Sequence, residues 1–473
     1  MNQKIGRRPR PASLSPPETA PTIPSIMKWW VGLLALLLIL FFGLIGVFYV
    51  RTFVAHRADG IILIVANGLD SSLLNKARHE AAARGQTLNI DTLPEVAIVD
   101  VQGLEQPVPD EASASTALAC GRRVRNGLVG VTADAMHLDS LIYAAQKAGR
   151  STGLVTNREL TRPTPLAFYS RTPGQPGYEA QSTAELIDTS DIDVILGGGA
   201  DYFSPASLAN ERGRTDGRDL VADAARKGYT IVRTDADLDR VPTWRTRSLL
   251  GLFAPGDFTF SPFHRGATTE PNLSTMSAVA IKCLQYNVSG YLLVIEDGLI
   301  GKAARNNWTD VALDEVFALD AAVGTARSYA GKQALILVTS NFNLGSLDTA
   351  REDLSLPAAA PGVLAPDAAS PSLSSGPVAP ETVEAGSSYE WLAGPGGVPR
   401  TDADRNWLRA QYASGLFSAN PADIHHPAPA VRFARHADLT AGPAWLAAGG
   451  VGAERFSGFI PNEKIFSLVQ DLF

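Results

Sequence analysis

The stretch IILIVANGLD, residues 61–70, decides how the rest of the chain is read. Its first half, Ile61 to Ala66, is an apolar run with no polar residue in alternation. Such a run fits a strand buried on both faces of a parallel sheet. Its second half, Asn67-Gly68-Leu69-Asp70, is turn-like, and a helical pattern follows at about residues 71–84. The same grammar recurs downstream. VILGGG (194–199), YLLVIE (291–296) and ALILVT (334–339) are further buried-strand candidates, with helical patterns near 138–148, 179–188, 217–227, 273–285 and 312–330. Strands alternating with helices predict an α/β fold: a mostly parallel central sheet with helices on both faces. In such sheets, sites gather at the carboxyl ends of the strands.

Outward from this body the chain changes character. Residues 1–28 are rich in Pro, Ser and Thr and carry Lys4, Arg7, Arg8, Arg10 and Lys28 against the single acid Glu18. Too little apolar surface is available there to offset ordering entropy, so a disordered basic tail is expected. Residues 29–50, WWVGLLALLLILFFGLIGVFYV, contain no charge. A helix of that length covers roughly 30 Å, enough to cross a bilayer. A buried core helix is rarely so long or so uniformly apolar. A cleaved signal peptide would need a shorter apolar region and a small-residue cleavage site, which RTFVAHRADG after Val50 offers poorly. A signal anchor is therefore expected. Five basic residues before it outnumber Arg51 and Arg57 after it, which places the tail in the cytoplasm and the body in the periplasm or outside the cell.

Composition narrows the function classes. The 473 residues hold 41 basic and 48 acidic side chains, a net −7 that offers no basic surplus for a nucleic-acid partner. Cys120 and Cys283 alone cannot make a disulfide framework or a four-thiolate zinc site. With seven histidines, any metal centre draws on a short roster. Of residues 357–386, 21 of 30 are Pro, Ala, Ser or Gly, so 346–430 reads as an insertion with a flexible segment.

Polar residues stand where strands end or turn: Asn67 to Asp70, Asp110-Glu111-Ala112-Ser113, Glu296-Asp297-Gly298, and Ser340-Asn341-Phe342-Asn343. Asp110 and Glu111 suit acid/base or cation chemistry, but adjacent residues on one element point apart, and acids at a helix start are the plainer reading. Ser113, Ser115 and Thr116 have no His nearby in sequence and read as cap or packing hydroxyls. His425-His426 lies in a Pro-rich stretch and reads as a solvated pair.

The order and spacing of several segments resembles the alkaline phosphatase family. They are VPDEASASTALACG (108–121), NGLVGV (126–131), KAGRSTGLVTNRELTRPTPLAFYSR (147–171), DVILGGGADYF (193–203), LLGLFAPGDF (249–258), EPNLSTM (270–276) and GVGAERFSGFIPNEKIF (450–466). The resemblance implies an alkaline-phosphatase-like domain over 58–345 plus 431–473. It also implies phosphoric monoester hydrolysis by a serine nucleophile with two Zn and one Mg, in molecules that are often homodimers.

Against that pattern this chain departs repeatedly. Asn67 stands for a metal-bridging Asp and Glu111 for the nucleophilic Ser. Gly301 and Arg305 stand for a metal-binding Asp and His, and Asn341-Phe342 for an Asp-His pair. Leu439-Thr440 resembles the stretch of the family's last metal-binding His; His436 is nearby but its spacing is off. Asp110, Thr164, Glu296 and Arg171 survive, Thr164 and Glu296 as family magnesium ligands and Arg171 as the phosphate clamp. Arg162 stands where the family has Asp or His. Arg305 and Arg162 are expected to replace metal charge by pairing with Glu296, Glu111 or Asp110. The expectation is a membrane-anchored pseudoenzyme that binds or scaffolds at the cell envelope with an unidentified protein partner and no metal cofactor. The alternative is an active phosphomonoesterase on a rebuilt site, with Mg on Asn67, Thr164 and Glu296.

Overall fold

The computed structural model describes residues 25–49, 57–105, 108–170, 178–263, 269–306, 308–344, 439–440 and 442–473. The chain divides into two units, Met1–His56 and Arg57–Phe473. In the first, one helix runs over Ser25–Tyr49, starting within the stretch expected to be tail. Its segment Trp29–Val47 is long and apolar enough to cross a membrane, and none of it is buried.

Among its described residues the second unit has twelve strands: β1 Gly60–Ala66, β2 Glu95–Asp100, β3 Ser151–Glu159, β4 Val194–Gly198, β5 Thr230–Val232, β6 Leu249–Leu252, β7 Tyr291–Asp297, β8 Ala334–Thr339, β9 Asn343–Leu344, β10 Leu439–Thr440, β11 Ala444–Gly450 and β12 Gly458–Pro461. Ten of them form one sheet in the order β12-β2-β11-β8-β1-β7-β3-β4-β6-β5, while β9 and β10 make a separate two-stranded ribbon. Every pairing in the large sheet is parallel except those of β11, which runs antiparallel to β2 and β8.

Burial explains the unpatterned apolar runs. In β1, Ile62 and Ile64 face one core and Ile61, Leu63 and Val65 face the other. β7 and β8 divide the same way, Leu293 and Ile295 from Leu292 and Val294, and Ile336 and Val338 from Leu335 and Leu337. One core is closed by helices Ser71–Ala83, Leu273–Leu284 and Thr309–Tyr329, the other by Glu111–Cys120, Leu141–Lys147, Tyr178–Asp188 and Asn462–Gln470. Each fully buried Leu or Ile contributes roughly 1.5–3 kcal/mol.

Register aligns the strand ends. Glu296 lies beside Val65 on one side and Thr156 on the other, and Val65 lies beside Thr339. The chain therefore leaves β1, β3, β7 and β8 along one line. The C-terminal segment supports it. Trp445 of β11 donates its indole N–H to the Leu69 carbonyl at 3.0 Å, and Asn462 bonds the Ala114 carbonyl at 2.9 Å.

One aspect of the sheet differs from the sequence reading. β3, β2 and β11 belong to the interior of the sheet although polar residues or alanines break their apolar pattern. The insertion expected at 346–430, the tail before residue 25, His425, His426 and His436 lie outside the described residues.

Candidate functional site

Backbone geometry brings four strand ends to one polar cluster. Asp110 caps helix Glu111–Cys120, its carboxylate accepting from the Ser113 N–H at 2.8 Å and the Gly127 N–H at 2.6 Å. With Asp110 spent on the cap, Glu111 turns the other way, as neighbouring residues at a helix start do. Ser113 and Thr116 bond locally, to Asn126 and the Ala112 carbonyl.

At the centre stands Asn67, wholly buried at the end of β1. Its amide nitrogen lies 2.9 Å from Glu111 Oε1, 3.0 Å from Thr164 Oγ1 and 3.0 Å from Glu296 Oε1. Two amide protons thus serve three acceptors. Around this point the network closes: Thr156 donates to Glu296 Oε2 at 2.5 Å, and Asn341 donates to Ser115 Oγ at 3.0 Å and Thr164 Oγ1 at 3.1 Å. Ser115 and Thr164 hydroxyls lie 3.0 Å apart. The Oδ1 atoms of Asn67 and Asn341 are buried without a hydrogen-bond partner among the described residues.

Gly301 is fitted to this arrangement. A Cβ there would stand 2.8 Å from the Asn67 carbonyl oxygen and 3.1 Å from Asn67 Oδ1. One turn further along helix Leu299–Arg305, Arg305 pairs with Glu111 Oε2 at 3.1 Å and lies over the Phe342 ring at 5.3 Å. Phe342 is buried and forms the apolar wall under that guanidinium.

A second cation, Arg158 at the end of β3, lies 3.8 Å from Glu111 and 3.4 Å from Asp257. It crosses over Gly298, where a Cβ would collide with its Cδ. Burial opposes its charge, yet Asp257, Glu111 and Glu296 outweigh that and hold its pKa above the usual value. Asp257 is held well below the usual carboxylate range: burial pushes upward, but Arg158 and Lys302 prevail. Glu296 is pushed up to about 7, first by burial and then by the Glu111 charge. Asp297 next to it is raised to about 6 by burial, and Glu315 to about 8 by burial and by Asp297.

Most residues singled out from sequence therefore meet: Asn67, Glu111, Thr164, Glu296, Arg305, Asn341 and Phe342 form or line the cluster, with Gly301 against it. Asp110 serves as cap. The pairing expected of Arg162 is different: its Nη2 lies 3.2 Å from Glu159 and its Nε 3.6 Å from Asp257, because it sits at the start of helix Pro163–Ala167 beyond reach of Glu111. Arg171 lies outside the described residues. Leu439–Thr440 pairs with Asn343–Leu344, two residues past Asn341. Sequence reasoning missed Arg158, Asp257, Lys302 and the role of Ser115. Arg158 carried a readable signal, a charged residue at a strand end, but β3 itself went unread.

These features define an α/β protein with a mostly parallel sheet whose polar residues collect at the carboxyl ends of its strands. The family model described as Alkaline phosphatase matches residues 58–358, and the chain belongs to that family. The tissue-nonspecific alkaline phosphatase of Gallus gallus is 31% identical over 331 residues, 60% of this chain and 64% of that protein. The membrane-bound alkaline phosphatase of Bombyx mori is 26% identical over 333 residues, 61% of this chain and 60% of that protein. The chain thus spans under two thirds of the length of these relatives. The structure of alkaline phosphatase from the Antarctic bacterium TAB5 superposes with a TM-score of 0.61 at 19% identity, over 88% of this chain and 98% of that one, a likeness of fold.

Proposed function

We propose that this chain is a membrane-anchored, exported member of the family whose hydrolytic site has been rebuilt as a metal-free polar cluster, leaving a binding or scaffolding role at the cell envelope. The observation that carries the reading is the position of the Asn67 amide nitrogen. It sits between the oxygens of Glu111, Glu296 and Thr164, while Arg305 takes the other Glu111 oxygen and Thr156 the other Glu296 oxygen. Hydrogen-bond donors thus meet all four carboxylate oxygens.

The donors present do not fit zinc. A catalytic zinc site takes at least three protein ligands from imidazole, thiolate and carboxylate. Among the described residues no group of three or more His, Cys, Asp or Glu side chains is placed to hold a metal. Arg305 adds a fixed positive charge beside Glu111, which opposes any cation there. Glu111 is a carboxylate where the family has its nucleophilic hydroxyl, so no serine attack is derived for this chain.

One observation favours the second reading, a phosphomonoesterase using Mg. Asn67, Thr164 and Glu296 do converge, and Glu111 joins them. The oxygens stand 2.9–3.0 Å from the amide nitrogen, whereas Mg²⁺ binds oxygen at about 2.0–2.1 Å. Metal content of the purified chain by mass spectrometry, with p-nitrophenyl phosphate hydrolysis in added Zn²⁺ and Mg²⁺, separates the two. The proposal expects well under one zinc per chain and no turnover; stoichiometric metal with turnover replaces it by the second reading.

A further inference from the structure

Apart from the strand-end cluster, a cavity of about 380 Å³ opens between helices Leu141–Lys147 and Tyr178–Asp188. None of its lining residues belongs to the cluster. Its volume falls within the range of about 300–1,000 Å³ usual for small-molecule sites. Tyr143, Phe168 and Tyr169 give it an aromatic wall. Its polar wall comes chiefly from Ser140, Gln146, Ser170, Glu185, Thr189 and Ser190.

The direction of its hydrogen bonds decides what it can take. Ser140 Oγ donates to the Phe168 carbonyl at 2.6 Å, Thr189 Oγ1 to the Glu185 carbonyl at 3.1 Å and Ser190 Oγ to the Leu186 carbonyl at 2.6 Å. Ser170 Oγ donates to Glu185 Oε2 at 2.7 Å, and the Tyr169 hydroxyl to the Leu160 carbonyl at 3.0 Å. A hydroxyl has one proton, so these groups turn lone pairs toward a ligand. Gln146 is fixed in the same sense. Its Nε2 donates to Thr152 Oγ1 at 3.1 Å and to the Ser190 and Asp191 carbonyls at 2.8 and 3.0 Å, which leaves Oε1 as an acceptor. His137 and Tyr143 are the other side chains of the wall that carry a donor. Charge points the same way. Among the described lining residues there is one acid, Glu185, and no Lys or Arg. Lys147 lies over the Tyr143 ring at 4.4 Å and pairs with Asp139 at 3.2 Å, so its charge is matched there.

We propose that this cavity binds a primary ammonium group, at a site separate from the strand-end cluster and independent of how that cluster is read. An ammonium brings three N–H donors and one positive charge to a wall of acceptors that holds one carboxylate. An anion would meet lone pairs with no donor to offer them. A neutral polyol would gain hydrogen bonds but no charge-assisted one. The aromatic wall suits the short carbon chain that carries the ammonium. A free amine and an amine carried on a peptide present the same chemistry.

The test is calorimetric titration of the detergent-solubilised full chain at pH 8 and fixed ionic strength. Ethanolamine is the free amine and an end-blocked Gly-Lys-Gly peptide the carried one. Tetramethylammonium is the cation without N–H, and glycerol the neutral donor. Saturable binding of ethanolamine is expected, with tetramethylammonium and glycerol at least tenfold weaker. Glu185→Gln keeps an acceptor for Ser170 and should weaken ethanolamine about tenfold, the loss of one charge-assisted contact. Thr189→Val, at an exposed position, should weaken it about fivefold. Melting curves check that both fold, and Thr189→Val carries the test if Glu185→Gln does not. Tighter binding of the peptide supports a carried amine; equal or weaker binding supports the free one. No binding of either amine overturns the inference. So does tetramethylammonium or glycerol binding as tightly as ethanolamine, or a folded variant that binds like wild type. None of these outcomes alters the reading of the strand-end cluster.

Discussion

Replacing Asn67 by Asp tests the central claim that an amide donor holds the cluster together. The substitution is nearly isosteric, so packing is retained while one nitrogen becomes an oxygen. That oxygen stands where Nδ2 now lies 2.9 Å from Glu111 Oε1 and 3.0 Å from Glu296 Oε1, and it has no proton to share. A hydrogen bond to a charged acceptor contributes about 1.5–3 kcal/mol, and stripping a buried charge of its partner costs about 3–5 kcal/mol. A loss of about 3–5 kcal/mol is therefore expected at pH 8 in EDTA. The loss should shrink at pH 5, because Glu296, raised to about 7, is then protonated and can donate to the introduced carboxylate. The assay is urea unfolding followed by circular dichroism at both pH values, with Asn67→Ala as the uncharged control. A variant as stable as wild type at pH 8, or an Ala control that costs more than the Asp, would refute the reasoning.

Three further outcomes rest on the same geometry. Glu296 has its folded pKa raised from 4.5 to about 7, so its contribution is fully present below about pH 4.5 and is lost as pH rises through 7, roughly 3 kcal/mol in all. Glu296→Gln should flatten the fall in stability over that window, leaving the part due to Asp297 and Glu315, which have the same sign; an unchanged pH–stability curve would refute the assignment. Gly301→Asp should cost about 1–3 kcal/mol in a thermal melt because its Cβ meets the Asn67 carbonyl at 2.8 Å; a neutral result would mean that helix Leu299–Arg305 yields freely. Glu111→Ser should show no p-nitrophenyl phosphate turnover in Zn²⁺ and Mg²⁺, since a hydroxyl at its free pKa needs a base or metal that Gly301, Arg305, Asn341 and Phe342 do not supply; metal-dependent turnover above a vector control contradicts it.

Sequence alone determined the α/β class and the polar strand ends, for a physical reason. Strands buried on both faces cannot hide their composition: β1, β7 and β8 are apolar at nearly every position, and the polar residues at their carboxyl ends make the site. The long uncharged segment was legible for the same reason, since apolar content is a local property. β3 escaped because a strand next to the site is polar where it faces the site; Thr156, Asn157, Arg158 and Glu159 are buried, but by one another's partners rather than by hydrocarbon. Candidate site residues such as Asn67, Glu111 and Arg305 could be named from residue order, and for Arg305 the sequence offered Glu296, Glu111 or Asp110 without deciding among them. The pairings of Arg305 with Glu111, Arg158 with Asp257 and Arg162 with Glu159 join residues up to 194 positions apart. Which cation meets which acid depends on strand register and on a helix turn of a few ångströms, over distances where Coulomb energy changes steeply. That Asp110 stands at a helix start was already legible in the sequence; tertiary structure alone decided that Asn67 is a hub between Glu111, Thr164 and Glu296.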